Sequence, residues 1–346
     1  MIKFGITIGK FMPLHAGHEL MIEFGASMVD LFYVIVSGKE TDTIPLTVRY
    51  DWVWDYVNKN NLTNVEVVYH IDNSPTPINV DEHGTVLDPE FQNYWKSEFR
   101  NIMPHATHFV SSDRYGQTMA DLLGIEWIPV DPLREMVNIS ATKIRNNIDK
   151  NFKYISDVAK PYFVKKIAVI GPESSGKSTM TKILAEEYNG IIVNEYGRTL
   201  SEVKTNDLSK DDFLQIMKGQ QVLIDIAVKK STSPYVFIDT EAYVTYLFSK
   251  IYLGEYVEEI LEFGKTQNID HYIVLAPTVK WVDDGTRVLG DQEKREEFYK
   301  NLVDILEKHS KSYACIESDS YNERVWDARD EFETVVRQIV EYNFKG

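Results

Sequence analysis

Cysteine is almost absent from this chain of 346 residues, since Cys315 is the only one. A single thiol excludes an intramolecular disulfide and any cysteine-based metal cluster. No apolar run approaches the roughly 18 residues of a membrane span, and the N-terminus lacks the basic, apolar and small-residue order of a signal peptide. These absences predict a soluble, cytoplasmic protein with no membrane partner. Cys315 itself lies in an apolar, strand-like run and is expected to be a buried structural thiol.

Positive charge is also scarce, because 37 Lys and Arg stand against 53 Asp and Glu, for a formal net charge of −16. Such an acidic surface repels phosphate backbones and argues against nucleic acid as the main partner. The length predicts about two globular domains, each with its own core. A homo-oligomer and a monomer are both compatible with the sequence.

Almost midway along, a glycine loop stands between an apolar strand and a helix. Residues 171–178 read Gly-Pro-Glu-Ser-Ser-Gly-Lys-Ser and fit G-x-x-x-x-G-K-[ST] without a gap. Strand, loop and helix in this order predict a P-loop, whose backbone N–H groups and helix N-terminus face phosphates. Lys177 would then reach the β- and γ-phosphates of ATP, and Ser178 would bind Mg²⁺. The other nucleotide-binding residues predicted in this loop are Gly171, Glu173, Ser174, Ser175, Gly176 and Thr179.

A second strand, glycine-containing loop and helix open the chain. Residues 2–8 alternate as a strand does, and residues 9–18 read Gly-Lys-Phe-Met-Pro-Leu-His-Ala-Gly-His. His15 and His18 stand where the helix begins, and imidazole N–H groups beside a helix N-terminus suit a phosphate chain. The alternative is a pair of structural or surface histidines. A zinc site is disfavoured because the carboxylate and further histidine of a metalloprotease helix are missing.

Strands and helices alternate through both halves of the sequence. This alternation predicts two α/β domains with parallel sheets, Rossmann-like in the first half, with ligands at the carboxyl ends of the strands. The loop of His15 and His18 and the segment of Ser112 and Asp113 both lie at such ends by this count. The domain boundary is expected near Phe163.

Three segments of the first half resemble the H-x-G-H nucleotidyltransferases. Residues 9–18 resemble the H-x-G-H motif, and residues 139–145 (Ile-Ser-Ala-Thr-Lys-Ile-Arg) resemble I-S-x-T-x-I-R. Residues 111–116 (Ser-Ser-Asp-Arg-Tyr-Gly) resemble the S-S-D-x-Y-G stretch of nicotinamide mononucleotide adenylyltransferases. The resemblance implies that His15, His18 and Arg145 neutralise the phosphates of ATP. The nucleotide-binding residues that it implies are Gly9, Lys10, Phe11, Ser112, Asp113, Tyr115, Ser140 and Thr142.

Three more residues of the first half are candidates for substrate binding, each with a structural alternative. Arg49, on the second predicted helix, meets a phosphate or is a solvated helix arginine. Trp95 and Trp127 stack on a nicotinamide ring or belong to the ordinary core. The polar loop of residues 72–85 covers an acceptor mononucleotide or is a plain surface loop.

In the second half, two predicted strands end in acidic residues opposite the P-loop. Residues 195–198 read Glu-Tyr-Gly-Arg, and this pairing suits a nucleoside kinase. Glu195 would accept the proton of the substrate hydroxyl, and Arg198 would hold charge on the transferring phosphoryl group. An exposed ion pair is the alternative. Asp239 ends an apolar strand in a Walker B pattern and is expected to hold Mg²⁺, unless it only caps the next helix.

Residues 280–287 read Lys-Trp-Val-Asp-Asp-Gly-Thr-Arg and predict a lid over the phosphates. Arg287 would close on the phosphates. Trp281, Asp283 and Asp284 would face the nucleoside, through stacking and through contacts to ribose hydroxyls or a cationic pyridinium. The alternative for Asp283 and Asp284 is an ordinary turn.

Together, E-Y-G-R, D-T and W-V-D-D-G-x-R resemble the ribosylnicotinamide kinase domain of the bifunctional NadR-type proteins. Adenylyltransferase motifs come first in those proteins too, so the resemblance covers about residues 1–340. It implies an adenylyltransferase domain at residues 1–163 and a kinase domain at 164–346. The kinase would convert nicotinamide riboside and ATP to nicotinamide mononucleotide (NMN), and the adenylyltransferase would join NMN to ATP, giving NAD and pyrophosphate.

The sequence differs from the NadR-type pattern at two points, and two alternative functions remain open. The sequence begins at the first strand, so the helix-turn-helix of the enterobacterial repressor forms is not expected, and Ala141 stands where glycine is commoner. One other function is the same pair of enzyme classes acting on different substrates. The second is a regulator that senses NAD with little turnover.

Overall fold

A computed structural model describes residues 2–76, 88–204, 207–279 and 289–336. The chain divides into two compact units, which meet in the sequence at Ala159 and Lys160. Within the described residues, no helix has the length and apolar character required to cross a membrane.

The first unit is built on a five-stranded parallel sheet with the order β3-β2-β1-β4-β5. Its strands are β1 (Phe4–Gly9), β2 (Leu31–Gly38), β3 (Val65–Ile71), β4 (His108–Ser111) and β5 (Glu126–Pro129). Its helices are α1 (Ala16–Met28), α2 (Leu46–Lys59), α3 (Pro89–Ile102), α4 (Tyr115–Leu123), α5 (Ala141–Asn146) and α6 (Ile148–Asn151), followed by a 3₁₀ turn at Phe152–Tyr154. The chain order reverses between β1 and β4, which is where parallel sheets open a ligand crevice.

Apolar side chains of the central strands meet those of α3 and α4 to form the core on one face of this sheet. Ile6 and Phe109 come from β1 and β4, and Phe99 and Met119 come from the helices. Asp88 caps α3 by accepting a hydrogen bond from the backbone of Glu90, and Pro89 follows it. This cap is the one that the Asp-Pro sequence favours at a helix start.

The second unit is a parallel sheet with the order β10-β9-β6-β8-β7. Its strands are β6 (Lys165–Ile170), β7 (Ile191–Val193), β8 (Tyr235–Asp239), β9 (His271–Leu275) and β10 (Tyr313–Ile316). Its helices are α7 (Lys160–Phe163), α8 (Lys177–Glu187), α9 (Tyr196–Val203), α10 (Lys210–Lys229), α11 (Ala242–Leu253), α12 (Glu258–Thr266), α13 (Gln292–Lys308) and α14 (Tyr321–Glu331), and a π-helical turn spans Phe332–Val336.

The predicted fold class, two α/β units with parallel sheets, is confirmed. The second unit begins at Lys160, close to the expected boundary near Phe163, and its helix α7 packs against α10. Helices α4, α9, α11 and α12 were not assigned from the sequence. Cys315 is half-buried rather than fully buried, and burial raises the pKa of its thiol.

Candidate active sites

His15 and His18 lie together at the start of α1, at the carboxyl end of β1. His15 is the N-cap residue, and its Nδ1 accepts a 3.1 Å hydrogen bond from the backbone N–H of Gly17. The two imidazole rings stack with centroids 3.8 Å apart. Burial lowers the pKa of His15 to about 4, with Arg134 and Arg145 adding to the effect. His15 is therefore neutral near pH 7, and because its Nδ1 accepts, its Nε2 carries the proton.

Burial, reinforced by His15, also holds the pKa of His18 well below its usual value. The ring of Phe11 packs against His18 at a centroid distance of 4.7 Å. Phe11 has a positive φ of 49° and only 1% of its surface exposed. Its placement is that of a support beneath the histidines, which differs from the expected direct contact with a nucleotide.

A cavity of about 240 Å³ opens at these histidines. It brings together several residues that the sequence singles out: His15, His18, Ser112, Asp113, Ser140 and Thr142. Ser140 is the N-cap of α5 and accepts a 3.2 Å hydrogen bond from the backbone of Lys143. Burial raises the pKa of Asp113.

Two arginines stand near the histidines in different ways. Arg145 donates to the carbonyl of Met12 at 2.6 Å and to Oγ1 of Thr142 at 3.3 Å, so it ties α5 to the loop after β1. Arg134 lines the cavity itself, although no motif identifies it. The carboxylate of Asp131 fixes the Arg134 loop by accepting the N–H groups of three consecutive residues, at 2.7–3.0 Å. The sequence feature that could have identified Arg134 is its position three residues after Asp131, an aspartate just beyond the end of β5.

A second cavity of the same unit, about 510 Å³, shares Asp113 with the first. We call it the aromatic cavity; its walls include Lys10, Ser37, Asp72, Phe91, Trp95, Phe99, Arg114 and Tyr115. Lys10 is exposed and lies 3.0 Å from Asp42. Burial raises the pKa of Tyr115 to about 12, so its phenol stays protonated. Aromatic faces with two nearby cations suit a flat ring attached to a phosphate.

Arg49 is not placed to meet a substrate phosphate. Its guanidinium is fully buried and donates to the carbonyls of Lys10, Ser37 and Ile44 at 2.7–3.2 Å. It also pairs with Asp42 at 2.9 Å. The end of β2 draws this arginine inward, where it satisfies carbonyls that would otherwise be buried without partners. Arg49 thus positions the loop that carries Lys10.

Trp95 and Trp127 have different positions relative to the cavities. Trp95 is buried and lines the aromatic cavity. In the described part of the first unit, Trp127 lies outside both cavities, and its indole donates a 3.0 Å hydrogen bond to Ser111. Gly116 leaves room for that indole, because a Cβ there would lie 2.7 Å from its nitrogen. Trp127 therefore packs behind the segment of Ser112 and Asp113.

In the second unit, residues 171–178 form the loop between β6 and α8. Gly171 and Gly176 have φ angles of 148° and 90°. A Cβ on Gly171 would lie 2.5 Å from the carbonyl oxygen of Leu275, so only glycine fits there. Lys177 begins α8 and donates to the carbonyl of Pro172 at 3.0 Å. Ser178 Oγ lies 2.5 Å from Asp239 Oδ2, so two oxygen atoms of the kind that Mg²⁺ binds lie side by side.

Glu195 ends up in the same cavity as this loop, a space of about 520 Å³. The residues that line this cavity include eight that the sequence predicted for the site: Glu173, Ser174, Gly176, Lys177, Ser178, Thr179, Glu195 and Arg198. Burial raises the pKa of Glu195, although the charge of Lys177 opposes that shift. The buried side chain of Gln220 aligns the two strand ends, accepting from Tyr196 N at 2.8 Å and donating to the carbonyl of Asp239 at 3.4 Å.

Aromatic side chains form the far wall of this cavity, and no motif points to them. They are Phe213 of α10 and Phe248 and Tyr252 of α11. Burial raises the pKa of Tyr252, and the charges of Glu173 and Glu195 act in the same direction. The lid residues lie outside the described residues: Trp281, Asp283 and Asp284, expected to face the nucleoside, and Arg287, expected to close on the phosphates.

Two buried arginines hold the phosphate loop from behind. Arg295 of α13 donates to the carbonyl of Glu173 at 3.1 Å. Arg324 of α14 donates to the carbonyl of Ser175 at 2.8 Å and to that of Ala276 at 3.0 Å. Both are 1% exposed. Neither residue lines the cavity, and their positive charge lies against the loop, where it adds to the field that attracts phosphate.

A histidine-lined cavity at one parallel sheet and a P-loop cavity at another define a two-unit nucleotide-binding α/β protein. Residues 166–324 match the family described as AAA domain. The chain is 30% identical over 343 residues to the trifunctional NAD biosynthesis/regulator protein NadR of Escherichia coli (strain K12), covering 92% of this chain and 80% of that protein. The protein of the same name from Salmonella typhimurium (strain LT2) is 30% identical over 339 residues, with the same coverage. The chain belongs to the NadR family.

Solved structures agree with this assignment at the level of the fold. A NadR protein in complex with NAD and AMP-PNP has a TM-score of 0.69 and 22% identity, with 96% of both chains covered. A NadR protein in complex with NR has a TM-score of 0.69 and 23% identity, covering 96% of this chain and 95% of that one. The predicted resemblance to NadR-type proteins is therefore confirmed.

Proposed function

We propose that this protein makes NAD in two reactions, one in each unit. The second unit phosphorylates nicotinamide riboside with ATP to give NMN. The first unit joins NMN to a second ATP and releases pyrophosphate. The observation that carries the proposal is the arrangement of cavities: the histidine-lined and aromatic cavities adjoin at Asp113, and the other unit has its own phosphate loop. The relatives' names, which specify NAD biosynthesis, support the same assignment.

In the kinase reaction, Glu195 accepts the proton of the riboside 5′-hydroxyl as that oxygen bonds to the γ-phosphorus of ATP. The bond between the γ-phosphorus and its bridging oxygen breaks, and ADP leaves. Its raised pKa suits this role, because a more basic carboxylate is a better proton acceptor. Lys177 and Arg198 balance charge on the phosphoryl group during transfer. Mg²⁺ would be held by Ser178 and Asp239, and it supplies charge neutralisation to the phosphates. The aromatic wall of Phe213, Phe248 and Tyr252 holds the riboside.

In the adenylyl transfer, a phosphate oxygen of NMN bonds to the α-phosphorus of ATP, and the bond to the leaving pyrophosphate breaks. A phosphate is already a nucleophile, so no protein base is required. Catalysis then consists of positioning and charge neutralisation. His15 and His18 donate N–H groups to the phosphates of ATP, while Arg134 and Lys10 supply positive charge from the two cavities. Arg145 holds α5 against the loop after β1 through its hydrogen bond to the carbonyl of Met12.

The direct test is incubation of the purified protein with nicotinamide riboside, ATP and Mg²⁺, followed by chromatography. NMN is expected first and NAD second. Omission of the riboside is the control, and a panel of other nucleosides tests substrate choice. If neither product forms while NAD raises the melting temperature, the protein is an NAD-binding regulator and the proposal is wrong. Efficient phosphorylation of other nucleosides, with none of the riboside, contradicts the substrate assignment.

A further inference from the structure

Ser37, His70 and Glu98 form a hydroxyl–imidazole–carboxylate chain beside the aromatic cavity. Ser37 and His70 are direct neighbours in the register of β2 and β3. Ser37 Oγ lies 3.0 Å from His70 Nδ1, and His70 Nε2 lies 3.1 Å from Glu98 Oε2. The His70 ring also packs on Trp95, with centroids 5.3 Å apart. Ser37 and His70 are both buried, whereas the side chain of Glu98 is 30% exposed.

The direction of each hydrogen bond in this chain follows from its last member. An ionised carboxylate only accepts, so Glu98 requires the proton of His70 to be on Nε2. In the neutral imidazole Nδ1 is then an acceptor, and the hydroxyl of Ser37 must donate to it. The hydroxyl hydrogen of Ser37 is therefore donated to His70 Nδ1, and the hydroxyl oxygen can still accept a hydrogen bond from a ligand.

A ligand in the aromatic cavity could donate a hydrogen bond to this hydroxyl oxygen. Ser37 and Trp95 both line it. The backbone carbonyl of Ser37 accepts a hydrogen bond from Arg49 at 3.2 Å, and the hydroxyl oxygen is the one polar atom of the Ser37 side chain. Asp72, another wall residue, adds negative charge nearby. The lone pairs of Ser37 and this negative charge favour a hydrogen-bond donor over an anion, whereas Lys10 and Arg114 of the same cavity suit the phosphate of a ligand.

We propose that the Ser37–His70–Glu98 chain makes the aromatic cavity select a pyridine mononucleotide bearing a carboxamide over one bearing a carboxylate. The inference rests on the proposed adenylyl transfer and specifies the substrate of that same site. The amide NH₂ donates to Ser37 Oγ, whereas a carboxylate has only lone pairs to present to another lone pair. Ser37 sets the specificity, and His70 and Glu98 are positioning residues that fix the direction of its hydroxyl.

The first unit contains a second hydroxyl–imidazole–carboxylate arrangement that serves as a control, although its Thr107 hydroxyl also lies 3.1 Å from the carbonyl oxygen of Phe4 and its Glu126 side chain is 84% exposed. Thr107 Oγ1 lies 2.7 Å from His108 Nδ1, and His108 Nε2 lies 3.3 Å from Glu126 Oε2. His108 and Glu126 are the first residues of β4 and β5, at the edge of the sheet opposite the cavities. A substitution at Glu126 therefore changes the same type of contact away from the site.

The test compares kcat/KM for adenylylation of nicotinamide mononucleotide and of nicotinate mononucleotide. The wild type is expected to prefer the carboxamide. Ser37→Ala lowers that preference about tenfold, mainly through KM for the carboxamide substrate, since one hydrogen bond to substrate is lost. Glu98→Gln frees His70 to take its other tautomer, so the preference falls through improved use of the carboxylate substrate. Glu126→Gln leaves the preference unchanged.

A merely structural role would lower both kcat/KM values together and leave their ratio intact, and that result overturns the proposal. So does a wild type that uses both mononucleotides equally. If the wild type adenylylates neither, the proposed function fails on separate grounds. Calorimetric titration of the two mononucleotides into the same four proteins then measures the preference as a ratio of Kd values, with the same expected order.

Discussion

The hydroxyl of Ser178 donates a 2.5 Å hydrogen bond to Oδ2 of Asp239 and so joins the first turn of α8 to the end of β8. The contact exists because β6 and β8 are neighbours in the sheet, although β7 lies between them in sequence. Asp239 is 4% exposed. A buried carboxylate fixed beside a hydroxyl under a phosphate loop is suited to hold Mg²⁺ together with the nucleotide.

Asp239→Asn should lower kcat for phosphorylation of nicotinamide riboside by about 10²-fold or more, because the metal loses its charged ligand. Asparagine has nearly the same shape, so the fold is kept. Adenylylation of NMN supplied directly should be unchanged. Asp225→Asn is the control, since Asp225 is exposed on α10 and bonds only to Gln221 among the contacts described. A riboside kinase rate that equals the wild type would remove Asp239 from the metal site.

Arg134→Ala should lower kcat/KM for adenylylation by about 10²-fold, since a positive charge at the phosphate cavity is lost. The kinase rate should not change. Lys143→Ala is the matched control, because this exposed cation bonds to Asn138 and does not line the cavity. Equal adenylylation by Arg134→Ala and Lys143→Ala would place Arg134 outside the mechanism.

Arg324→Leu should destabilise the second unit by about 2–4 kcal/mol, since it leaves the carbonyls of Ser175 and Ala276 buried without this donor. Urea unfolding measures this loss. The KM for ATP in the kinase reaction should rise as well, because the phosphate loop is less firmly held. Arg329→Leu removes a half-exposed ion pair with Glu187 and should cost less than about 1 kcal/mol. Similar losses for the two variants would contradict the role given to Arg324.

Glu241, the N-cap residue of α11, is fully buried and should make stability depend on pH. Burial raises its pKa to about 7, against the opposing hydrogen bonds from the N–H groups of Tyr243 and Val244. Between the unfolded pKa of about 4.5 and the folded value, the folded chain binds more protons, so this group lowers stability as pH rises.

Glu241→Gln removes that titration. It should raise the free energy of unfolding by about 2 kcal/mol at pH 8 and change it little at pH 5. Scanning calorimetry of both proteins at both pH values makes the comparison. A difference between variant and wild type that is the same at pH 5 and pH 8 would show that Glu241 does not titrate in this way.

Local patterns predicted much of the fold and the phosphate-facing residues. Residues 171–178 and the loop of His15 and His18 were identified because glycine, lysine and histidine in these orders have few other uses. Helices α11 and α12 were not assigned, because apolar residues cover most of α11 and give no clear face. The alternatives for Trp127 and Arg49 stayed open in the sequence for a related reason. Whether a side chain at a strand end points into a cavity or behind it depends on packing, which spacing does not encode.

Residues that act through distant contacts gave no local signal. Arg324 and Ser175 are 149 positions apart, and Gln220 reaches a carbonyl 19 positions away. Ser37 and His70 meet only because β2 and β3 pair in one particular register. The sequence shows which residue types are present, but the pairing of the strands determines which distant residues come into contact.

The most direct test of the central claim, two independent nucleotide sites in one chain, uses Lys177→Ala and His18→Ala. Each protein is given ATP and Mg²⁺ with either nicotinamide riboside or NMN, and the products are separated by chromatography. Lys177→Ala should make no NMN from the riboside but form NAD from NMN at the wild-type rate. His18→Ala should accumulate NMN from the riboside and form NAD about 10²-fold more slowly. Loss of both activities in either folded variant would contradict the account.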